Sequence, residues 1–223
     1  MPAAERIPLS RDRIMRAALE LADGSGIEAL TMRRLGDDLG YEAMSLYRHI
    51  ANKDDLLDGM LDLVLAEWEL PADEADAFDA IRTTARSVHQ GLRSHPWAAR
   101  LLMTGAHMRP RRLAYGEFLL GRLREAGLDA ATRYHVYHLL DGFIFGFSLW
   151  EIAYTSTDDP DFAERVAEFM QKIPWDDYPS FTEHRDQHFA DGPHREVSAF
   201  DVGLDLILAG LRPEALRAGT SPA

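Results

Sequence analysis

Hydroxyl, imidazole and cationic side chains crowd one short stretch of this sequence, Ser45-Leu46-Tyr47-Arg48-His49, with Lys53 four residues further on. Such groups hydrogen-bond to base edges and neutralise phosphates, and the small or apolar Ala43 and Met44 precede them, where a helix would approach base edges closely. Bond-making chemistry finds less to work with. His135 and His138 lie three residues apart, and His184 and His188 four apart, at metal-ligand spacing on a helix. Neither pair belongs to an HExxH motif, and no neighbouring carboxylate completes a set. The sequence has no Gly-rich phosphate loop, GxSxG elbow or paired-carboxylate motif in convincing context, and no cysteine nucleophile or thiolate ligand. No metal, cofactor or catalysis is therefore expected. His89, His95 and His107 are read as structural histidines, with hydrogen bonding in a pocket as the alternative.

The elements that must hold the first stretch are helices. Thr31 suits an N-cap, Met32, Leu35 and Leu39 share one helix face, and Gly40 stands where a left-handed residue ends a helix. After the turn Gly40-Tyr41-Glu42, a second helix from about Ala43 to His49 buries Leu46 and Ile50 and lets Ala43, Met44, Ser45, Tyr47, Arg48 and His49 project. This is the outline of a helix-turn-helix whose second helix suits a major groove. Ser10 caps a preceding helix to about Asp23, with Ile14, Ala18, Leu21 and Ala22 inward and Gly24 and Gly26 ending it. Asn52 caps the next helix, with Asp54 and Asp55 in its first turn, where the positive helix end favours carboxylates. Its apolar Leu56, Leu57, Met60, Leu61, Val64 and Trp68 lie on more than one side, so it should pack on both head and body and can transmit motion between them.

Several segments together resemble the DNA-binding domain of the tetracycline-repressor family of bacterial regulators. They are Thr31-Met32-Arg33-Arg34-Leu35-Gly36, Leu39-Gly40, Ser45-Leu46-Tyr47-Arg48-His49, and Asn52-Lys53 with Leu56-Leu57, in the family's order and spacing. The likeness is firm over residues 10–68. Beyond it the chain resembles the family's C-terminal domain in outline only, through an HPW segment, an LLxxLxxAGL segment and a long helix ending in Trp150 and Glu151. Carried over residue by residue, the resemblance implies that Arg33, Ala43, Met44 and Ser45 face bases and that Tyr47, His49 and Lys53 hold phosphates. Ala43 and Met44 depart from the tetracycline repressor itself, which has a longer polar residue and a proline there, so its operator cannot be carried over. Tetracycline-bound members hold magnesium with the drug, and no residue here carries that ion over.

At 223 residues and 46% hydrophobic the chain can bury a sizeable core in one or two domains. A net charge of -13 argues against nucleic acid until it is divided. Residues 1–53 hold eight basic and eight acidic side chains, and the remainder carries the whole excess. An acidic body and a neutral head would orient docking on DNA. With no cysteine, no signal-peptide core in MPAAERIPLSRDR and no apolar run longer than Phe143–Trp150, a cytoplasmic protein without membrane association is expected.

In the body, Pro71 to Asp76 is the clearest boundary, which gives a head over 1–53, a connecting helix over 54–70 and a body over 71–223. Helices are expected at about 77–93, from Pro96 through Met103, from Pro110 to Ala126 and from Asp129 to about Tyr154. Others follow from Asp159, over 181–189 and over 197–211, with Asp191-Gly192-Pro193 as a turn. On the longest helix Phe143, Phe147, Trp150 and Tyr154 form one stripe, and Gly142, Gly146, Leu149 and Ala153 form another about 100° away. The aromatic stripe is either plain core or the wall of a small-molecule pocket. On the second reading, Trp97, Met103, His107, Phe143, Phe147 and Trp150 are the candidate ligand contacts. The glycine stripe, with Leu149 and the final helix's Leu204, Ile207 and Leu208, is the candidate dimer interface.

The sequence is thus expected to be all-α: a three-helix head that binds palindromic operator DNA as a homodimer, and a body that takes a small-molecule effector. The alternative is a helical small-molecule binding protein with a vestigial head, and more distantly a metal-dependent helical enzyme.

Overall fold

The computed structural model describes residues 8–103, 109–155, 162–189 and 198–212, and every regular element among them is a helix. The chain divides into two compact units, one up to Leu149 and one from Trp150 onward. The division by role at 53/54 and 70/71 is a different one, because packing continues across both positions within the first unit.

Helix α1 (Arg11–Ser25) starts where the Ser10 hydroxyl accepts the Arg13 N–H at 3.2 Å. It passes through Gly24, beyond the expected end near Asp23, and stops at Gly26, whose φ of 80° takes the chain out of the helix. Helix α2 (Met32–Leu39) is capped by the Thr31 hydroxyl, which accepts the Arg34 N–H. It ends at Gly40, left-handed with φ 74°, while the Tyr41 N–H returns to the Gly36 carbonyl at 2.9 Å. Helix α3 (Ala43–Leu46) is shorter than the expected run to His49. Its continuation tightens into turns, with the N–H groups of Arg48 and His49 donating to the carbonyls of Ser45 and Leu46 three residues back. Helix α4 (Lys53–Ala66) begins at Asn52, whose side chain accepts the Asp55 N–H at 2.8 Å. Ile14, Ala18, Leu21, Leu35, Leu46, Ile50, Met60 and Leu61 bury together as the core of these four helices.

Helix α5 (Ala77–Ser94) is capped by the Asp76 carboxylate, which accepts from Phe78 and Asp79 N–H groups. Helix α6 (Pro96–Met103) sends Trp97 and Ala98 into the core of the head. Helices α7 (Pro110–Glu125) and α8 (Ala130–Thr155) follow the expected spacing. Buried side chains of α5 (Phe78, Ile81, Val88, Leu92), α7 (Tyr115, Leu119, Leu123) and α8 (Val136, Leu140, Ile144, Phe145) line the apolar interior of the body part of this unit. Trp68, just past α4, meets Tyr115 and Phe145 edge-on at centroid distances of 5.2 and 6.0 Å.

In the second unit, α9 (Phe162–Gln171) is followed by a 3-10 turn at Trp175–Asp177, α10 (Pro179–Phe189) and α11 (Ala199–Gly210). Helix α10 starts two residues before the expected Phe181, because proline fits a first helical turn. Trp175 stacks on Phe181 and carries the Arg185 guanidinium 4.4 Å over its ring. Phe200, Leu204 and Leu208 of α11 are buried. The expected helix start at Asp159 and the turn at 191–193 lie outside the described residues. No helix among the described residues is long and apolar enough to cross a membrane.

Candidate functional site

The head presents one surface built from α3 and its flanks. Leu46 and Ile50 are buried and fix the segment. Arg48, His49 and Lys53 are exposed, as are Met44 (72%) and Tyr47 (44%), while Ala43 and Ser45 are half-buried. From α2, Arg33 extends into solvent with its Nε 4.0 Å from Asp37, an exposed pairing that holds it weakly. The seven residues expected to meet DNA are each exposed or half-buried on the head, and Arg48 is exposed beside them.

Arg11 fastens this surface. Its guanidinium donates to both oxygens of Asp55, at 2.9 and 2.5 Å, and to the His49 carbonyl at 3.0 Å. Asp55 also accepts the Ala51 N–H at 2.8 Å. The Arg11 hydrogen bond, seconded by that backbone N–H, holds the Asp55 carboxyl down at about 2. Asp55 is therefore a clamp between α1, the end of the recognition segment and α4, a larger part than the helix-end role its position suggested.

The same face of α4 continues into the body. Asp58 and Asp62, three and seven residues beyond Asp55, both meet Arg109, the N-cap of α7, with Nη1 2.8 Å from Asp58 and Nε 2.9 Å from Asp62. At the end of α1, Asp23 accepts the Trp97 indole N–H at 2.7 Å. His95 lies between two carboxylates, its Nδ1 2.9 Å from Asp23 and its Nε2 3.2 Å from Glu67. The acidic positions of α4 recur at helical spacing in the sequence, a signal that could have marked them. Nothing local in the sequence pairs Asp23 with Trp97.

Two of the candidate ligand contacts are neighbours on α8. Phe143 and Phe147 are half-buried neighbours with centroids 5.6 Å apart, and His89 of α5 meets Phe147 edge-on at 6.1 Å. His89 is fixed by Ser148. The Ser148 hydroxyl donates to the Ile144 carbonyl at 2.7 Å, so His89 Nδ1 donates to that hydroxyl at 2.8 Å. Trp97 belongs to the head core, Met103 is exposed at the end of α6, Trp150 is exposed in the second unit, and His107 lies outside the described residues. The body also holds a half-buried ion pair that sequence reasoning missed. Arg112 pairs with Asp141 at 2.7 Å, and its guanidinium carbon lies 4.7 Å from the ring centroids of both Tyr115 and Phe145. Burial, with the Asp141 charge second, raises the Tyr115 phenol well above its ordinary value. A cleft of about 690 Å³ opens on the head between α1 and α2, with charged Asp12, Arg13, Arg16, Glu20 and Asp38 in its lining beside the apolar Ala17, Leu21 and Leu39.

The candidate interface residues differ in exposure. Gly142 and Gly146 are exposed, and a Cβ on either would meet nothing within 4 Å among the described atoms. Leu149 and Ile207 are half-buried, whereas Leu204 and Leu208 are already buried in the single chain. The apolar area that α11 exposes is Val202 and Leu206. Among the described residues no group of three or more metal-ligating side chains gathers.

Residues 14–60 match the family model described as bacterial regulatory proteins, tetR family, and residues 70–214 match the one described as tetracyclin repressor-like, C-terminal domain. Over 208 residues the chain is 32% identical to an HTH-type transcriptional regulator of Saccharopolyspora erythraea, covering 93% of this chain and 86% of that one. It is 31% identical over 212 residues to the HTH-type transcriptional repressor DrrR1 of Streptomyces coeruleorubidus, covering 91% and 77%. Among solved structures, that of ActR from Streptomyces coelicolor in complex with actinorhodin aligns with a TM-score of 0.71 at 28% identity, covering 94% of this chain and 99% of that one.

Proposed function

The chain belongs to the tetR family of bacterial regulatory proteins, transcriptional regulators and not enzymes, and on that premise we propose that it is a ligand-released repressor. It binds a palindromic operator as a homodimer, in the cytoplasm. The observation that carries this reading is the head surface on which Met44, Tyr47, Arg48, His49 and Lys53 stand exposed over a buried Leu46 and Ile50. A recognition segment of this length touches too few base pairs for a specific site, so two heads on two half-sites are needed. Arg33, Ala43, Met44 and Ser45 face bases, and Tyr47, His49 and Lys53 hold phosphates.

The exposed glycines of α8 and the exposed Val202 and Leu206 of α11 support a helix-to-helix dimer contact. Phe143, Phe147 and His89 are the supported start of an effector site, and actinorhodin in the ActR complex is a precedent for a small-molecule ligand. The effector acts by favouring a head separation that no longer matches two half-sites. The contacts of α4 with Arg11 and Arg109, and of Asp23 with Trp97, give that change a material path from body to head. Emptying an operator from 99% to 1% bound requires a preference of about 5.5 kcal/mol for the non-binding state.

Fluorescence anisotropy against DNA from upstream of its own gene and a scrambled control, at two salt concentrations, tests the reading. Tight, salt-sensitive binding that depends on a palindrome is expected. Equal weak binding to both, persisting after selection from random DNA, overturns it in favour of a small-molecule binding protein with a vestigial head.

A further inference from the structure

We propose that Met44 reads a thymine methyl group, so that the operator half-site is specified at one base pair by an apolar contact. This inference rests on the regulator reading above. Met44 is the most exposed large hydrophobic side chain among the described residues, at 72%. The apolar anchors of the same segment are buried, Leu46 at 0% and Ile50 at 1%, so the backbone that carries Met44 is fixed while its side chain faces outward. Single exposed hydrophobics are ordinary on a protein surface. The position makes this one informative: Met44 is the second residue of α3, and the first residues of a recognition helix come closest to base edges.

A methionine there cannot read the hydrogen-bonding pattern of a base pair, since its thioether is no donor and only a weak acceptor. It is long, unbranched and polarisable, suited to packing against a small apolar protrusion. The major groove offers one such protrusion, the C5-methyl of thymine. Ala43 and Ser45 on either side carry shorter side chains and are half-buried. The half-site therefore carries an A·T pair opposite Met44, with the thymine on one defined strand. One buried methyl corresponds to about fourfold in affinity, so two half-sites give about fifteenfold.

The test uses the full chain and an operator selected from a random duplex pool. Each thymine is replaced in turn by deoxyuridine in both half-sites, which deletes the methyl and leaves base pairing intact, and affinities are measured for wild type, Met44→Ala and Met44→Leu. One position is expected to cost wild type about fifteenfold. Met44→Ala should bind the intact operator more weakly and be indifferent to that uracil, Met44→Leu should regain the discrimination, and replacements elsewhere should affect all three proteins alike. A selected operator at which no uracil separates wild type from Met44→Ala overturns this inference and leaves the regulator reading standing. A selection that enriches no sequence overturns both.

Discussion

Trp97 of α6 donates its indole N–H to the Asp23 carboxylate at the end of α1, 2.7 Å away, which ties the helix after the α5–α6 bend to the head. The contact joins residues far apart in sequence, and the Trp97 ring is itself buried in the head core. Replacing Trp97 by Phe keeps most of the buried ring and removes the donor. The expected cost is about 1 kcal/mol of unfolding free energy, because His95 still faces Asp23. Trp97→Ala also opens a cavity and should cost about 3–5 kcal/mol. Urea denaturation followed by circular dichroism measures both, and equal losses would mean that the ring contributes nothing beyond its hydrogen bond.

Asp55 makes the head sensitive to acid. Its carboxyl is held at about 2 against an ordinary 3.8, with the Arg11 hydrogen bond as the main cause. A depressed carboxyl contributes stability that is fully present above its unfolded value and is lost as pH falls through the folded one. Wild type should therefore lose stability between about pH 4 and pH 2 more steeply than Asp55→Asn, which has no charge there to lose. Thermal midpoints taken across that window decide it; parallel curves for the two proteins would remove Asp55 as the cause.

Lys53 is exposed at the first position of α4, where a phosphate contact would carry no sequence information. Lys53→Ala should weaken operator and scrambled DNA by similar factors and flatten the salt dependence by about one unit of slope. If the substitution changes the preferred sequence and leaves the salt slope alone, the phosphate assignment is wrong.

Leu206 is 71% exposed on α11, an apolar side chain on a helix whose Leu204 and Leu208 are already covered. Leu206→Glu should shift the protein from dimer to monomer in sedimentation velocity, with unchanged helical content and operator affinity reduced at least tenfold, since each head would then bind alone. A stable dimer in this variant would move the interface away from α11.

Most of the head was legible in the sequence, because its signals are local. Ser10, Thr31 and Asn52 are caps that act within three residues, Gly40 is a stop that acts on its own backbone, and Leu35, Leu46 and Ile50 follow helical spacing. The tightening after Leu46 was not legible, because it arises where the chain must leave α3 to reach Asn52 with the His49 carbonyl held by Arg11. In the body, aromatic periodicity put Phe143 and Phe147 on one face, and these two are half-buried neighbours, whereas Ile144, Phe145 and Ser148 are the buried positions. Periodicity says which residues share a face and leaves open which face a neighbour covers. The ion pairs of α4 and the Arg112–Asp141 pair join distant helices, so no window of sequence contains both partners.

Because Trp97 and Ala98 of α6 complete the interior of the head, the DNA-facing part is not a detachable module. Grafting residues 1–70 onto a foreign body would remove an indole and its donor from beside Asp23, and a recipient with a differently shaped residue there would leave a hole or a clash. Recombination between such regulators would therefore succeed most readily where the donor body brings a matching bend after its first helix.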